Sequence, residues 1–260
     1  MIDSLNELLE FIRFKICIFA PFLGITGYLL FNSLSTNIIF VALACFFVCI
    51  GVYSYNNITD KEEDLINEKP INTFVTSNKG YFVVIISFLC GTFFLFFLSF
   101  YSILVYVSSI ITGLVYSFFR LKRHLLVKNF YTGFGITQLF LLGAVNGNFS
   151  VEIVLYYLLI SIFFFSGTLI SDLRDYKGDK YAGIKTLPIF LGYVHVKRII
   201  YILLSILSII ILTSNLYNLF ILLPFSLLMI FFLSKNKVNI AHWCGGIPFI
   251  FLALWLFVSV

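Results

Sequence analysis

Charge is what this 260-residue chain has least of: only 11% of its residues are Asp, Glu, Lys or Arg, against about a quarter in an ordinary soluble domain. With 61% hydrophobic residues, it has too little polar surface to cover a water-soluble fold. Histidine and cysteine are sparse as well. His124, His195 and His242 lie far apart, and Cys17, Cys45, Cys49, Cys90 and Cys244 contain no Cys-x-x-Cys pair. That spacing argues against a zinc site or a redox dithiol and leaves the thiols to apolar packing. No cleavable signal pattern opens the chain; MIDSLNELLEFIRFK reads as a short amphipathic lead-in.

What is present is a succession of apolar runs. A membrane-crossing helix needs about 20 mostly apolar residues, and nine such spans can be drawn, over 14 to 31, 38 to 55, 80 to 98, 100 to 118, 130 to 147, 151 to 170, 196 to 213, 217 to 234 and 240 to 258. A membrane barrel would alternate apolar and polar residues, whereas IISFLCGTFFLFFLSF is continuously apolar. The expected fold class is therefore all-α: a polytopic membrane protein of about nine transmembrane helices, bundled around a central cavity and forming one domain over residues 1–260. An acidic cluster follows span two and another follows span six, as after a duplication, yet no residue-level repeat accompanies them. Gly143 and Gly147 form a GxxxG that suits close helix packing within the bundle.

The placement of charge tests this map independently, because Lys and Arg collect beside the cytoplasmic ends of spans. All 17 basic residues fall before or at the opening of span one, between spans two and three, four and five, or eight and nine, or between span six and the opening of span seven. The alternate loops, near 32–37, 99–101, 146–152 and 213–218, hold none. The expected topology has a cytoplasmic N-terminus, an external C-terminus, and both acidic clusters on the cytoplasmic side. The net charge of +5 reports topology and gives no sign of nucleic-acid binding.

The clusters themselves carry the chemistry. Asn56, Asp60 and Asp64 in NNITDKEED are spaced i, i+4, i+8; Asp172, Asp175 and Asp179 in DLRDYKGD are spaced i, i+3, i+7. On helices, each set converges on one face. Oxygen ligands without nearby His or Cys suit magnesium, which keeps waters and shares substrate phosphates. A diphosphate fits two such sets, with Lys122, Arg123, Arg174, Lys177 and Lys185 in the surrounding loops to balance its charge. Its other end would be apolar, as an isoprenoid tail in the lipid bilayer is. An ion-coupled transporter would instead place its carboxylates near the bilayer midplane in broken spans.

These motifs resemble the UbiA superfamily of intramembrane prenyltransferases. Family members carry NDxxDxxxD followed by Arg-Pro, then DxxDxxxD followed by Gly-Ile-[Lys/Arg]-Thr-Leu-Pro. This chain has NNITDKEED with Lys69-Pro70, and DLRDYKGD with Gly183-Ile184-Lys185-Thr186-Leu187-Pro188. The stretch VYSFFRLKRHLLVKN is similar to the family's segment between spans four and five. The resemblance implies a magnesium-dependent enzyme in which Asn56, Asp60 and Asp64 hold one ion and Asp175 and Asp179, assisted by Asp172, another. It also implies that Lys122 and Tyr116 touch the diphosphate, with Arg123, Arg174 and Lys185 as further substrate-binding groups. A prenyl diphosphate would ionise and a hydrophobic or aromatic acceptor would attack. Asn57 departs from the usual Asp, Lys69 from Arg, and Phe14 from the Pro that often follows Arg13. The soluble synthase motif DDxxD is absent. Of the family's acceptors, an aromatic or quinone precursor is placed ahead of a glycerol-phosphate lipid, with cyclisation of the donor as a third outcome.

Overall fold

The computed structural model describes residues 2–61, 65, 72–121, 124–181, 183–214 and 216–259. Among these, every regular element is helical: α1 (Ile2–Phe11), α2 (Phe14–Cys17), α3 (Ala20–Phe31), α4 (Asn37–Thr59), α5 (Thr73–Thr76), α6 (Asn78–Leu95), α7 (Phe100–Phe118), α8 (Val127–Ala144), α9 (Val151–Tyr181), α10 (Leu187–Leu191), α11 (Tyr193–Thr213), a 3-10 turn (Tyr217–Ile221), α12 (Leu222–Ser234), α13 (Val238–Trp243) and α14 (Ile247–Ser259). Eight helical segments of the described residues are long and apolar enough to cross a membrane. They coincide with eight of the nine expected spans. The remaining one, expected over 130 to 147, is α8, whose 18 residues include Lys128, Asn129, Thr132, Thr137 and Gln138. These polar groups lower its hydropathy, and several of their donors are met by protein acceptors. Thr137 is buried and donates to Gly133 O at 2.8 Å, while Gln138 Nε2 donates to Thr112 Oγ1 at 3.2 Å.

Two compact units make up the chain, residues 1–121 with 138–149, and residues 122–137 with 150–260. In the first unit, α4 packs on α3, α6 and α7. Its buried residues Val41, Ala44, Cys45 and Val48 repeat at helical spacing. In a lipid-embedded bundle, helices gain by close approach, which small residues permit. A methyl group added at Gly27 would run into the Phe140 carbonyl oxygen, and one at Gly143 into that of Gly24. Gly143 thus serves contact between α3 and α8. Toward the outside, α6 and α7 present large apolar side chains, among them Phe82, Phe93, Leu104 and Ile111, as a lipid-facing surface requires.

The second unit is organised by α9, a single helix of 31 residues that packs on α10, α11 and α13. Ile153, Ile160, Phe163 and Ile170 are fully buried, and Phe164 stacks on Phe249 at 5.0 Å. At 1.5 Å per residue, α9 is about 46 Å long, roughly half again the ~30 Å of bilayer hydrocarbon. The span expected over 151 to 170 therefore runs on without a break through all three aspartates of the second cluster. The helix ends where Gly183, in the left-handed region at φ 69°, lets the Ile184 N–H return to the Asp179 carbonyl at 2.9 Å. Thr186 then precedes α10, its backbone carbonyl accepting from the Ile189 and Phe190 N–H groups at 3.0 Å, with Pro188 in the first turn. The Gly-Ile-Lys-Thr-Leu-Pro stretch is thus a stop signal followed by a start signal.

Candidate functional site

The first acidic cluster sits at the end of α4. Asn56 is in the last turn of the helix and Asp60 is its C-terminal cap, so the i, i+4 spacing brings them together. Asn56 Nδ2 donates to Asp60 Oδ2 at 2.8 Å, and the Ser117 hydroxyl donates to Asn56 Oδ1 at 3.3 Å. Ser117 belongs to the last turn of α7, next to Tyr116. Asp64 lies outside the described residues, as do Lys69, Lys122 and Arg123.

A neighbouring set of contacts explains the unusual Asn57. Arg13 donates to Asn57 Oδ1 through Nε at 3.0 Å and through a terminal nitrogen at 2.7 Å, and lies over the Tyr53 ring at 5.4 Å. Asn57 Nδ2 in turn donates to the Phe11 carbonyl at 2.6 Å. An amide can accept and donate at once, whereas a carboxylate could not have supplied that last bond. Asn57 therefore clips the start of the chain to α4.

The second cluster lies on one face of α9. At 100° per residue, Asp172, Asp175 and Asp179 fall within a sector of about 60°. The three carboxylates nevertheless differ in surroundings. Asp172 is 1% exposed. It accepts from Lys128 Nζ at 2.6 Å and from Asn129 Nδ2 at 2.9 Å, so both of its oxygens are engaged. Asp175 is more open and takes Arg174 bidentately, at 2.8 and 2.9 Å. Arg174 also reaches Ser171 Oγ at 3.1 Å. Asp179 Oδ2 is closed off from solvent with no hydrogen-bond partner. Lys185, two residues past Gly183, is exposed.

Lys128 and Asn129 are residues that the motif reading did not single out. Their partner is 44 and 43 positions away in sequence, and only the packing of α8 on α9 reveals them. A Lys-Asn pair at the start of an otherwise apolar helix is the one sequence signal that points to them. Lys177, grouped in sequence with the phosphate-balancing cations, falls about 165° around α9 from the middle of the acidic sector.

A buried carboxylate oxygen without a partner is costly unless a cation or donor meets it. Asp179 thus has the chemistry of a hard anionic ligand, and so has Asp175, held by an exchangeable guanidinium. Among the described residues, no three His, Cys, Asp or Glu side chains are gathered into a ready cage. That donor set fits a hard divalent ion bound through one or two carboxylates, with its remaining positions left to water and phosphate oxygens.

The chain as a whole is similar to known proteins. The profile of the UbiA prenyltransferase family matches residues 17–241. The digeranylgeranylglyceryl phosphate synthase of Methanocaldococcus jannaschii is 28% identical over 196 residues, covering 73% of this chain and 69% of that one. The enzyme of the same name from Methanococcus aeolicus is 31% identical over 199 residues, covering 71% and 68%. Among solved structures, that of a UbiA homologue from Archaeoglobus fulgidus bound to DMAPP and Mg2+ superposes with a TM-score of 0.78 at 16% identity, over 98% of this chain and 100% of that one. Motifs, fold and extent of match agree, and the chain belongs to the UbiA prenyltransferase family.

Proposed function

We propose that this intramembrane prenyltransferase moves a geranylgeranyl group from its diphosphate to a free hydroxyl of a glycerol-phosphate lipid, with magnesium as cofactor. The observation that carries the reading is that both relatives described above are digeranylgeranylglyceryl phosphate synthases, matched over about two thirds or more of either chain. A lipid acceptor therefore replaces the aromatic or quinone-precursor acceptor preferred on sequence alone. The face that holds every Lys and Arg is the cytoplasmic one, and the N-terminus lies on that side.

Asn56, Asp60 and Asp64 would hold magnesium, as would Asp175 and Asp179. When bound, the ion supplies charge neutralisation for the departing diphosphate. The rest falls to the chain. Asn56 orients the Asp60 carboxylate and is itself oriented by Ser117. Asp172, neutralised by Lys128 and Asn129, acts as a positioning residue that fixes the acidic face of α9 against α8. Lys122, Arg123, Arg174 and Lys185 balance phosphate charge, and Tyr116 offers a hydroxyl donor. The allylic C–O bond breaks with its electron pair passing to the diphosphate. The lipid hydroxyl oxygen forms the new C–O bond, and its proton leaves to the diphosphate or water. No side-chain nucleophile takes part.

The test is acceptor competition. Purified protein would receive magnesium, geranylgeranyl diphosphate, and equal amounts of geranylgeranylglyceryl phosphate and 4-hydroxybenzoate, with products separated by mass. The doubly prenylated glycerol phosphate is expected as the only product. A prenylated aromatic acid in its place would overturn the lipid acceptor while leaving the reaction class intact.

A further inference from the structure

On the side of α9 away from its carboxylates, an open cleft of about 730 Å3 lies between that helix, the start of α11 and the α12–α13 connection. Its cations are Arg174, Lys177 and Lys237, and no acidic residue lines it among the described residues. Lys177 and Lys237 are exposed, and neither is held in an ion pair among the described residues. Two tyrosines form one wall, Tyr176 edge-on to Tyr193 with ring centroids 5.5 Å apart. Leu173, Val238 and Ile240 contribute apolar surface beside them.

The cleft is held in shape by its connection. Asn236 adopts the left-handed conformation at φ 56°, a region Asn tolerates better than most residues. Around it, the Lys237 N–H returns to the Phe232 carbonyl at 2.8 Å and the Asn236 N–H to that of Leu233 at 3.0 Å. Lys197 Nζ donates to Asn236 Oδ1 at 2.9 Å, tying the turn to α11. Lys237 is thereby presented from a fixed backbone.

We propose that this cleft binds the phosphate headgroup of an anionic membrane phospholipid, separately from both donor and acceptor. Cations beside tyrosines and aliphatic residues, at the ends of apolar helices on the basic face of the membrane, match a headgroup that is charged at one end and oily at the other. A free phosphate would have no use for the aliphatic wall. Lys177 and Lys237 contact the headgroup; Arg174, shared with Asp175, borders it.

The experiment uses the full chain, released from nanodiscs of mixed phosphatidylglycerol and phosphatidylcholine, with bound lipid counted by native mass spectrometry. Wild type is expected to retain phosphatidylglycerol selectively, with excess inorganic phosphate failing to displace it. Removing two such cations in Lys177→Gln/Lys237→Gln should weaken retention roughly 30-fold. Lys177→Arg/Lys237→Arg should keep it, and so should the charge-matched control Lys79→Gln/Lys235→Gln. Unchanged thermal unfolding of the Gln variant would separate loss of the site from loss of the fold; if that variant unfolds, failure of the Arg variant to retain lipid decides against the site. Equal retention of both lipids, equal losses in the Gln variant and its control, or displacement by inorganic phosphate would each overturn the proposal.

Discussion

The buried pair between Lys128 and Asp172 makes a quantitative demand. Asp172 is 1% exposed, and among the described residues its oxygens are met by Lys128 and Asn129, at 2.6 and 2.9 Å. Replacing Lys128 by Met leaves a buried carboxylate with one neutral donor, and breaking such a pair from one side costs about 3–5 kcal/mol. The Lys128 side chain keeps 29% exposure, so water can partly follow the substitution, and the lower end, about 3 kcal/mol, is expected. For a chain of this size, that corresponds to a fall in Tm of roughly 6–12 °C. Replacing both partners, as Lys128→Met/Asp172→Leu, removes the charge along with its counter-charge and should recover most of the loss. Thermal unfolding in one detergent, run on wild type, both single variants and the double variant, gives the coupling directly. If Lys128→Met shifts Tm by only a degree or two, or if the double variant falls as far as the worse single one, the pair is not a closed electrostatic unit and the reasoning fails.

Other expectations are simpler. Asp179→Asn should fold normally yet lose magnesium-dependent diphosphate release by more than about 100-fold, since it removes a first ligand where even outer partners matter 10–100-fold; activity within a few-fold of wild type would refute its role. Gly27→Ala, which drives a methyl group toward the Phe140 carbonyl, should cost about 1–3 kcal/mol or more of stability. Gly167→Ala in α9, where nothing lies within 4 Å of the added group, should gain up to ~1 kcal/mol; equal effects in unfolding experiments would contradict the packing described. On the proposed topology, a cysteine placed at Lys185 is modified by a membrane-impermeant maleimide only from the cytoplasmic side, and one placed at Tyr217 only from the other. Labelling of both from one side would reverse or break the map.

Much of this architecture could be read from the sequence because the bilayer enforces simple rules. Apolar runs have to be helical, and Lys and Arg have to choose a side, so eight spans and the helical register of the second cluster followed directly. The span expected over 130 to 147 is helical as α8, but its membrane fitness depends on partners such as Gly133 and Thr112 rather than on its own composition. The aspartates of DLRDYKGD look equivalent in sequence, and only tertiary packing separates the tethered Asp172 from the unpartnered Asp179. Asn57 likewise reads as a weakened motif until Arg13 and the Phe11 carbonyl are seen against it. The acceptor is not legible for a different reason: the motifs report how a diphosphate is held, and the acceptor's shape is written in none of them.

The unbroken length of α9 has a further consequence. Glu152 stands in its first turn, and Asp172, twenty residues on, begins the acidic face. Their separation along the axis is about 30 Å, the thickness of the hydrocarbon layer. Sliding the helix by one turn in either direction would draw one of these carboxylates toward the oil, at a cost approaching 2.5–3.5 kcal/mol near the bilayer centre by roughly the insertion scale. The two charges thus behave as the waterline marks of a float. They set the depth at which the helix rides, and with it the level of Asp175 and Asp179.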